Sequence, residues 1–108
     1  MILNELKALA NDKRLKVIYA LTISDFCQLH IIELTSLSQV DTSRSLKALV
    51  ESGLVDSRKS GNRVIFSLSQ KMKVDYSLQL DAIRKEYNYL SFDVDMDEFV
   101  EDCQTLIA

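Results

Sequence analysis

Apolar residues recur every three or four positions along most of the chain, which is the spacing of amphipathic helices. Capping residues and breaks divide this pattern into separate segments. The predicted helices cover residues 2–10, a stretch that starts at Asn11 or Asp12, a short stretch after Ser24-Asp25, residues 39–52, residues 72–92 and a final stretch after Asp95. The chain is therefore expected to be mostly α-helical.

The fourth predicted helix has clear signals at both ends. Ser38 and Asp41 form a capping box at its start, because a hydroxyl at the cap faces a carboxylate three residues later. Leu46, Leu49 and Val50 give it one apolar face. A glycine at position 53 then ends it.

A strand-like pattern follows that glycine. Two short apolar strands are predicted over residues 54–59 and 62–68, joined by a turn at Ser60-Gly61. A capped helix, a glycine stop and a hairpin in this order predict a winged helix-turn-helix. The expected fold is thus mostly α with a small β-hairpin wing, in the order α-α-α-α-β-β-α-α.

Such a fold presents one helix to the DNA major groove and the hairpin to a neighbouring phosphate or the minor groove. The polar side chains at these places predict DNA contacts, through base edges or phosphates. The candidates are Ser38, Gln39, Thr42, Ser43, Arg44, Ser45 and Lys47 on the fourth helix, and Lys59, Asn62 and Arg63 at the hairpin tip. The expected partner is a double-stranded DNA operator with an imperfect inverted repeat.

Composition and charge fit this interpretation once the chain is divided. The 108 residues, 47% of them apolar, predict a single domain over residues 1–108 with a net charge of −3. Residues 1–71, the DNA-reading part, hold ten Lys/Arg against seven Asp/Glu, whereas residues 72–108 hold three against nine. The acidic charge is therefore expected on the dimerisation helix, residues 72–92, and on an acidic C-terminal helix, residues 93–108.

The fifth helix carries a long apolar stripe with steps of three and four. Its length suits a twofold seam between two copies of the chain, together with the first helix. The predicted seam residues are Leu6, Met72, Tyr76, Leu80, Ile83 and Tyr87. A homodimer is the expected assembly.

Residues 5–90 resemble the ArsR/SmtB family of winged-helix repressors. The resemblance rests on ordered segments: Leu6-Lys7-Ala8-Leu9-Ala10-Asn11-Asp12-Lys13-Arg14-Leu15, Leu37-Ser38-Gln39, Ser43-Arg44-Ser45-Leu46-Lys47, Glu51-Ser52-Gly53-Leu54-Val55 and the wing Arg58–Leu68. It implies a symmetric dimer that represses a nearby operon and leaves DNA when a metal, metalloid or thiol signal arrives. One departure is Ser45, which stands where the family often has His.

The family's signal sites are only partly present. The positions that match its zinc site on the dimer helix are Gln70, Met72, Ile83 and Glu86, so that site is expected to be absent. At the start of the third helix only Cys27 matches the family's thiolate cluster. Two interpretations stay open. The thiols are structural, which we favour, or they are a sensor: Cys27, His30 and Cys103 would hold a soft metal or metalloid ion, or the two thiols would form a disulfide or polysulfide link. No resident metal or cofactor is predicted.

Other functional classes find little support. One histidine and no glycine-rich phosphate loop argue against an enzyme. No signal peptide or membrane span is recognisable, which predicts a cytoplasmic location. An alternative of another class is a protein-interaction module that kept the winged helix but lost DNA binding, and the acidic tail agrees with it.

Overall fold

Helices make up most of the fold, and the elements follow the predicted order with two exceptions. A computed structural model describes the backbone of residues 2–107 and the side chains of residues 3–101. The helices are α1 (Ile2–Leu9), α2 (Asp12–Ile23), α3 (Gln28–Thr35), α4 (Gln39–Glu51), α5 (Gln70–Asp75), α6 (Ser77–Tyr87) and α7 (Met96–Ile107), with a 3-10 turn over Asn88–Ser91. The strands are β1 (Phe26–Cys27), β2 (Val55–Ser60) and β3 (Arg63–Leu68).

The helix ends follow from local chemistry. The Asn11 side chain accepts hydrogen bonds from the backbone N–H groups of Lys13 and Arg14, so Asn11 is the cap of α2. Ser36, at a φ of 60°, ends α3 in a left-handed conformation and begins the turn into α4. Gly53 adopts a φ of +80° directly after α4, as a C′ glycine should.

The sheet has three strands, and the first exception to the prediction is β1. The strand order is β1-β3-β2, all antiparallel, with Phe26 opposite Phe66 and Cys27 opposite Ile65. Two residues are too few to show an alternating pattern, which is why the sequence gives no signal for β1. The hairpin turn is Gly61-Asn62, one residue later than predicted, because Ser60 pairs with Arg63.

The second exception is the long fifth helix, which is divided. Tyr76, with a φ of −120°, interrupts it between α5 and α6, and the last turn of residues 88–91 is 3-10. The Tyr76 side chain is buried, and its hydroxyl donates to Glu5 Oε1 at 3.2 Å. We attribute the break to this inward docking of Tyr76 against α1.

The predicted dimer seam is wrong for five of its six residues. Their side chains are almost fully buried within the chain itself, around α2, and therefore face the monomer core. These residues are Met72, Tyr76, Leu80, Ile83 and Tyr87. Leu6 remains available, with 48% of its surface exposed. The apolar stripe is thus the face by which α5 and α6 pack onto the chain's own core.

Helix α7 folds back onto its own chain. Val94, Met96, Phe99 and Val100 are partly buried against the core. The Phe99 ring lies edge-on to Phe26 of β1, with a centroid separation of 5.5 Å. Among the described residues, no helix combines the length and apolar character needed to cross a bilayer.

Candidate nucleic-acid interface

Helix α4 presents a polar row to solvent. Gln39, Ser43, Arg44 and Lys47 are all exposed, and their spacing of three and four places them on one face. Among the described residues, no hydrogen bond or ion pair holds any of these four side chains. They are therefore available to a ligand. Ser38 is also exposed, but its hydroxyl caps the helix by accepting from the Asp41 N–H at 3.0 Å.

Two of the predicted DNA contacts are wrong. Thr42 is fully buried, and its hydroxyl donates to the Ser38 carbonyl at 2.8 Å. Ser45 is also buried, on the same inward face as Leu46 and Leu49. Serine and threonine can lie inward on a helix because their hydroxyls can donate to a backbone carbonyl of the preceding turn. Their polarity alone therefore did not indicate the direction in which they point.

Val40 belongs to the outward row, and sequence reasoning missed it. With 57% of its surface exposed, it stands between Gln39 and the Ser43-Arg44 pair. Its outward direction could have been predicted from the helical spacing. Val40 is seven residues from the outward Lys47 and so lies on the same face, away from the face of Leu46 and Leu49.

The start of α4 is tied to α2 by an ion pair. Lys13 Nζ lies 3.0 Å from Asp41 Oδ2. The Lys13 ammonium, by hydrogen bond and by charge, holds the pKa of the Asp41 carboxyl below its ordinary value. A negative charge that would otherwise stand beside the outward row is thereby balanced.

The hairpin tip presents Lys59 and Asn62, both exposed as predicted. Arg63 behaves differently: it is half-buried, and its guanidinium donates to Cys27 Sγ at 3.8 Å. Lower on the wing, Arg58 pairs with Asp25 at 3.2 Å. Lys59 and Asn62 are therefore the two tip residues that point freely towards a ligand.

A cleft separates α4 from the wing. Its volume is about 420 Å³, and Lys47, Val50, Val64 and Phe66 are among the residues that line it. Helix α4 and the hairpin thus stand beside each other, one on each side of the cleft. This is the arrangement in which a helix enters a groove and a wing flanks it.

Two of the three predicted sensing residues, Cys27 and His30, lie at the junction of the wing and α3. Cys27 is both the last residue of β1 and the N-cap of α3, and its Sγ lies 3.0 Å from His30 Nδ1. Burial lowers the pKa of the His30 imidazole; the Glu33 charge opposes this shift, and the Arg63 charge adds to it. The ring of Phe99 covers His30 edge-on at a centroid distance of 6.1 Å. The imidazole is therefore buried, with a lowered pKa, and its Nδ1 is paired with the thiol.

The side chain of Cys103 lies outside the described residues, so its predicted partnership stays a prediction. In the part of the chain whose side chains are described, no three His, Cys, Asp or Glu residues lie together as metal ligands. Where the dimer-helix zinc site would lie, Met72 and Ile83 are buried apolar side chains. These residues do not fit a zinc ion.

Comparisons with known proteins agree with this geometry. A model of the family described as "Bacterial regulatory protein, arsR family" matches residues 11–57. An arsenical resistance operon repressor from Staphylococcus xylosus is 34% identical over 79 residues, which span 72% of this chain and 75% of that protein. HlyU from Vibrio cholerae has a similar structure, with a TM-score of 0.68 and 27% identity over 80% of this chain and 90% of that one.

A further structural relative is a homodimeric winged helix-turn-helix DNA-binding domain from Mycobacterium bovis, solved by NMR. It gives a TM-score of 0.66 at 25% identity and covers 81% of this chain and 82% of that one. The family match includes the helix that carries the outward row, and the family is one of regulators rather than enzymes. The chain therefore belongs to the ArsR family of bacterial regulatory proteins and is a DNA-binding transcriptional repressor.

Proposed function

We propose that two copies of this chain bind an imperfect inverted repeat in the upstream DNA of their own operon and repress it in the cytoplasm. The observation that carries the proposal is the outward row, whose side chains are exposed and make no hydrogen bond or ion pair among the described residues. The row consists of Gln39, Ser43, Arg44 and Lys47. Each α4 would enter a major groove, with Lys59 and Asn62 of the wing on the flanking backbone.

The local charge of this surface supports DNA binding despite the negative total. Arg44, Lys47 and Lys59 are exposed around α4 and the wing, and Asp41 is balanced by Lys13. The acidic residues of the second half lie on α6, α7 and the segment between them, apart from Asp75 at the end of α5. Because salt screens interactions beyond about 10 Å, the potential at the phosphates depends on the near cations.

A dimer would form through the outer faces of α1 and α6. Leu3 and Leu6 on α1 and Leu78 on α6 are large apolar side chains that stay exposed in the single chain. The M. bovis relative is itself described as homodimeric. A twofold axis would set the two α4 helices roughly 34 Å apart, one turn of DNA.

The test measures binding of the protein to its own upstream DNA by fluorescence anisotropy over a range of salt concentrations. Arg44→Ala and Lys47→Ala should each weaken binding and reduce the slope of log affinity against log salt by about one. Lys73→Ala, at an exposed lysine of α5, is the matched control and should leave both quantities unchanged. Unaltered affinity in both α4 variants would overturn the assignment of this surface. If the wild type bound no DNA at all, the alternative of a protein-interaction module without DNA binding would be favoured instead.

A second candidate function concerns the signal: release from DNA through the thiols. It is favoured by the polar contacts of Cys27 Sγ, which lies 3.0 Å from His30 Nδ1 and 3.8 Å from the Arg63 guanidinium. Phe99, which covers His30, lies one helical turn before Cys103 on α7, so α7 brings the backbone of the second cysteine towards the first. Exchange with a small disulfide would join the two thiols and release two small thiols.

The cysteine variants test this candidate directly. A small disulfide should weaken DNA binding of the wild type, whereas Cys27→Ser, Cys103→Ser and the double variant should keep basal binding and lose the response. The measurement is anisotropy before and after oxidation, with mass spectrometry to detect the cross-link. A response that persists in the double variant would exclude the thiols as its origin.

A further inference from the structure

One exposed apolar side chain stands inside the polar row of α4. Val40 has 57% of its surface in solvent, although its neighbours Gln39, Ser43 and Arg44 are polar. A single exposed valine is ordinary on a protein surface. Its position on the surface that reads DNA is what gives it meaning.

The geometry places Val40 near the centre of that surface. Val40, Ser43, Arg44 and Lys47 follow the spacing i, i+3, i+4, i+7, which is one side of a helix. The buried residues Thr42 and Leu49 lie on the opposite side. Val40 is also the second residue of α4, and the first turns of a recognition helix are the part that reaches base edges.

Neither the fold nor the helix gains from a valine here. The side chain is mostly exposed, so it contributes little apolar burial. A β-branched residue is a poorer helix former than alanine, glutamate or lysine. Acidic residues are favoured in the first turn by the helix dipole, as Asp41 illustrates.

The chemistry of the major groove offers Val40 one apolar partner. Among the base edges exposed there, only thymine carries a methyl group, and small apolar side chains pack against it. We propose that Val40 contacts the 5-methyl group of a thymine in each half-site and so determines specificity at that base pair. This rests on the proposed function, because it assumes that α4 enters the major groove.

The experiment begins with selection of duplexes by the wild-type protein from a random DNA library. Each thymine of the selected site is then replaced by deoxyuridine, which removes only the methyl group. At one thymine per half-site the wild type should lose about fourfold in affinity, since burial of one methyl corresponds to about 0.8 kcal/mol. Replacement of thymines outside the site should change nothing.

Protein variants then assign this loss to one side chain. Val40→Ser should bind the thymine and uracil duplexes equally, whereas Val40→Thr, which keeps one methyl group, should retain part of the discrimination. Val50→Ala is the matched control: this valine lies on the same helix with 36% exposure, about 15 Å further along the axis. It should discriminate like the wild type.

The possible failures are distinguishable. Equal affinity of the wild type for every uracil duplex overturns the contact while leaving the repressor intact. Discrimination that persists in Val40→Ser also overturns it, because another side chain then reads the methyl group. If the wild type selects no duplex, the proposed function and this contact both fail.

Discussion

Whether a polar side chain of this molecule is buried or exposed depends more on the direction in which it points than on its polarity. Thr42 and Gln39 are both polar and three residues apart, yet one is buried and bonded to Ser38 while the other faces solvent. His30 shows the same principle for a titratable group. It is the chain's one histidine, and burial beneath Phe99 lowers its pKa.

The titration of His30 can be followed directly by NMR, because its imidazole signals are unique. We expect a midpoint below 6.5 in the wild type. Phe99→Ala, which opens the ring to water, should raise the midpoint towards 6.5. An unshifted midpoint in that variant would show that α7 does not cover the imidazole.

The lowered pKa also fixes the sign of a stability change. The unfolded chain binds a proton to His30 at a higher pH than the folded chain does. Folding stability should therefore fall as the pH drops from 6.5 towards the folded pKa of His30, and the His30 contribution is constant above that window. The contribution of His30 is measured by urea unfolding of the wild type and of His30→Gln over this pH range. The variant has no imidazole to titrate, so the difference between the two proteins gives the His30 contribution to the pH dependence of stability.

At the scale of elements, α4 packs into the core through its buried face and is joined to α2 at its first turn. Its N-terminus is fixed by the Ser38 cap and by the ion pair between Lys13 and Asp41, which joins it to α2. Helix α2 is in turn connected to α6, because the Tyr87 hydroxyl donates to Asp12 Oδ1 at 2.5 Å. Helix α2 therefore contacts both α4, which carries the outward row, and α6 of the C-terminal half.

Removal of Lys13 should reveal the role of this ion pair in DNA binding. Lys13→Met leaves Asp41 unbalanced beside the phosphates, and we expect about fivefold weaker binding. Asp41→Asn in the Lys13→Met background should recover most of that loss. Anisotropy on one duplex measures all three proteins. Failure of the second substitution to restore binding would mean that Lys13 itself contacts the phosphates.

The sequence predicts some elements well, and local physics explains which ones. The Ser38 cap and the Gly53 stop are local signals, and the structure confirms them. The predicted apolar face of α4 is confirmed for Leu46 and Leu49 but is wrong for Val50, whose side chain is 36% exposed. Strand β1 exists only because β3 lies beside it, and the break at Tyr76 follows from a contact with Glu5, 71 residues earlier. Neither partner can be identified from a pattern of neighbours along the chain.

Considered as a whole molecule, the chain buries nearly all of its apolar stripe and leaves a smaller patch uncovered. The long predicted seam lies in the core, whereas Leu3, Leu6 and Leu78 remain outside. The C-terminal half therefore supports the DNA-reading half from within each copy. We propose that the outer faces of α1 and α6 make the contact between copies.

Charged substitutions on these faces test the assembly. Leu6→Asp together with Leu78→Asp should convert a dimer to a monomer in sedimentation velocity and weaken operator binding at least about tenfold, because one half-site no longer assists the other. Both residues are exposed, with 48% and 78% of their surfaces in solvent, so the fold should persist. Phe92→Asp, at a 72% exposed residue outside α1 and α6, is the matched control. A dimer that survives the double substitution would place the twofold interface elsewhere.

The division of α4 into an inward and an outward face also has an evolutionary consequence. Gln39, Val40 and Ser43 support nothing else in the fold, so single mutations there should cost little stability. Thr42 and Leu49 are fixed by the core and leave almost no such freedom. Descendants of one ancestor can therefore acquire new target sequences one codon at a time, while the inherited framework stays unchanged.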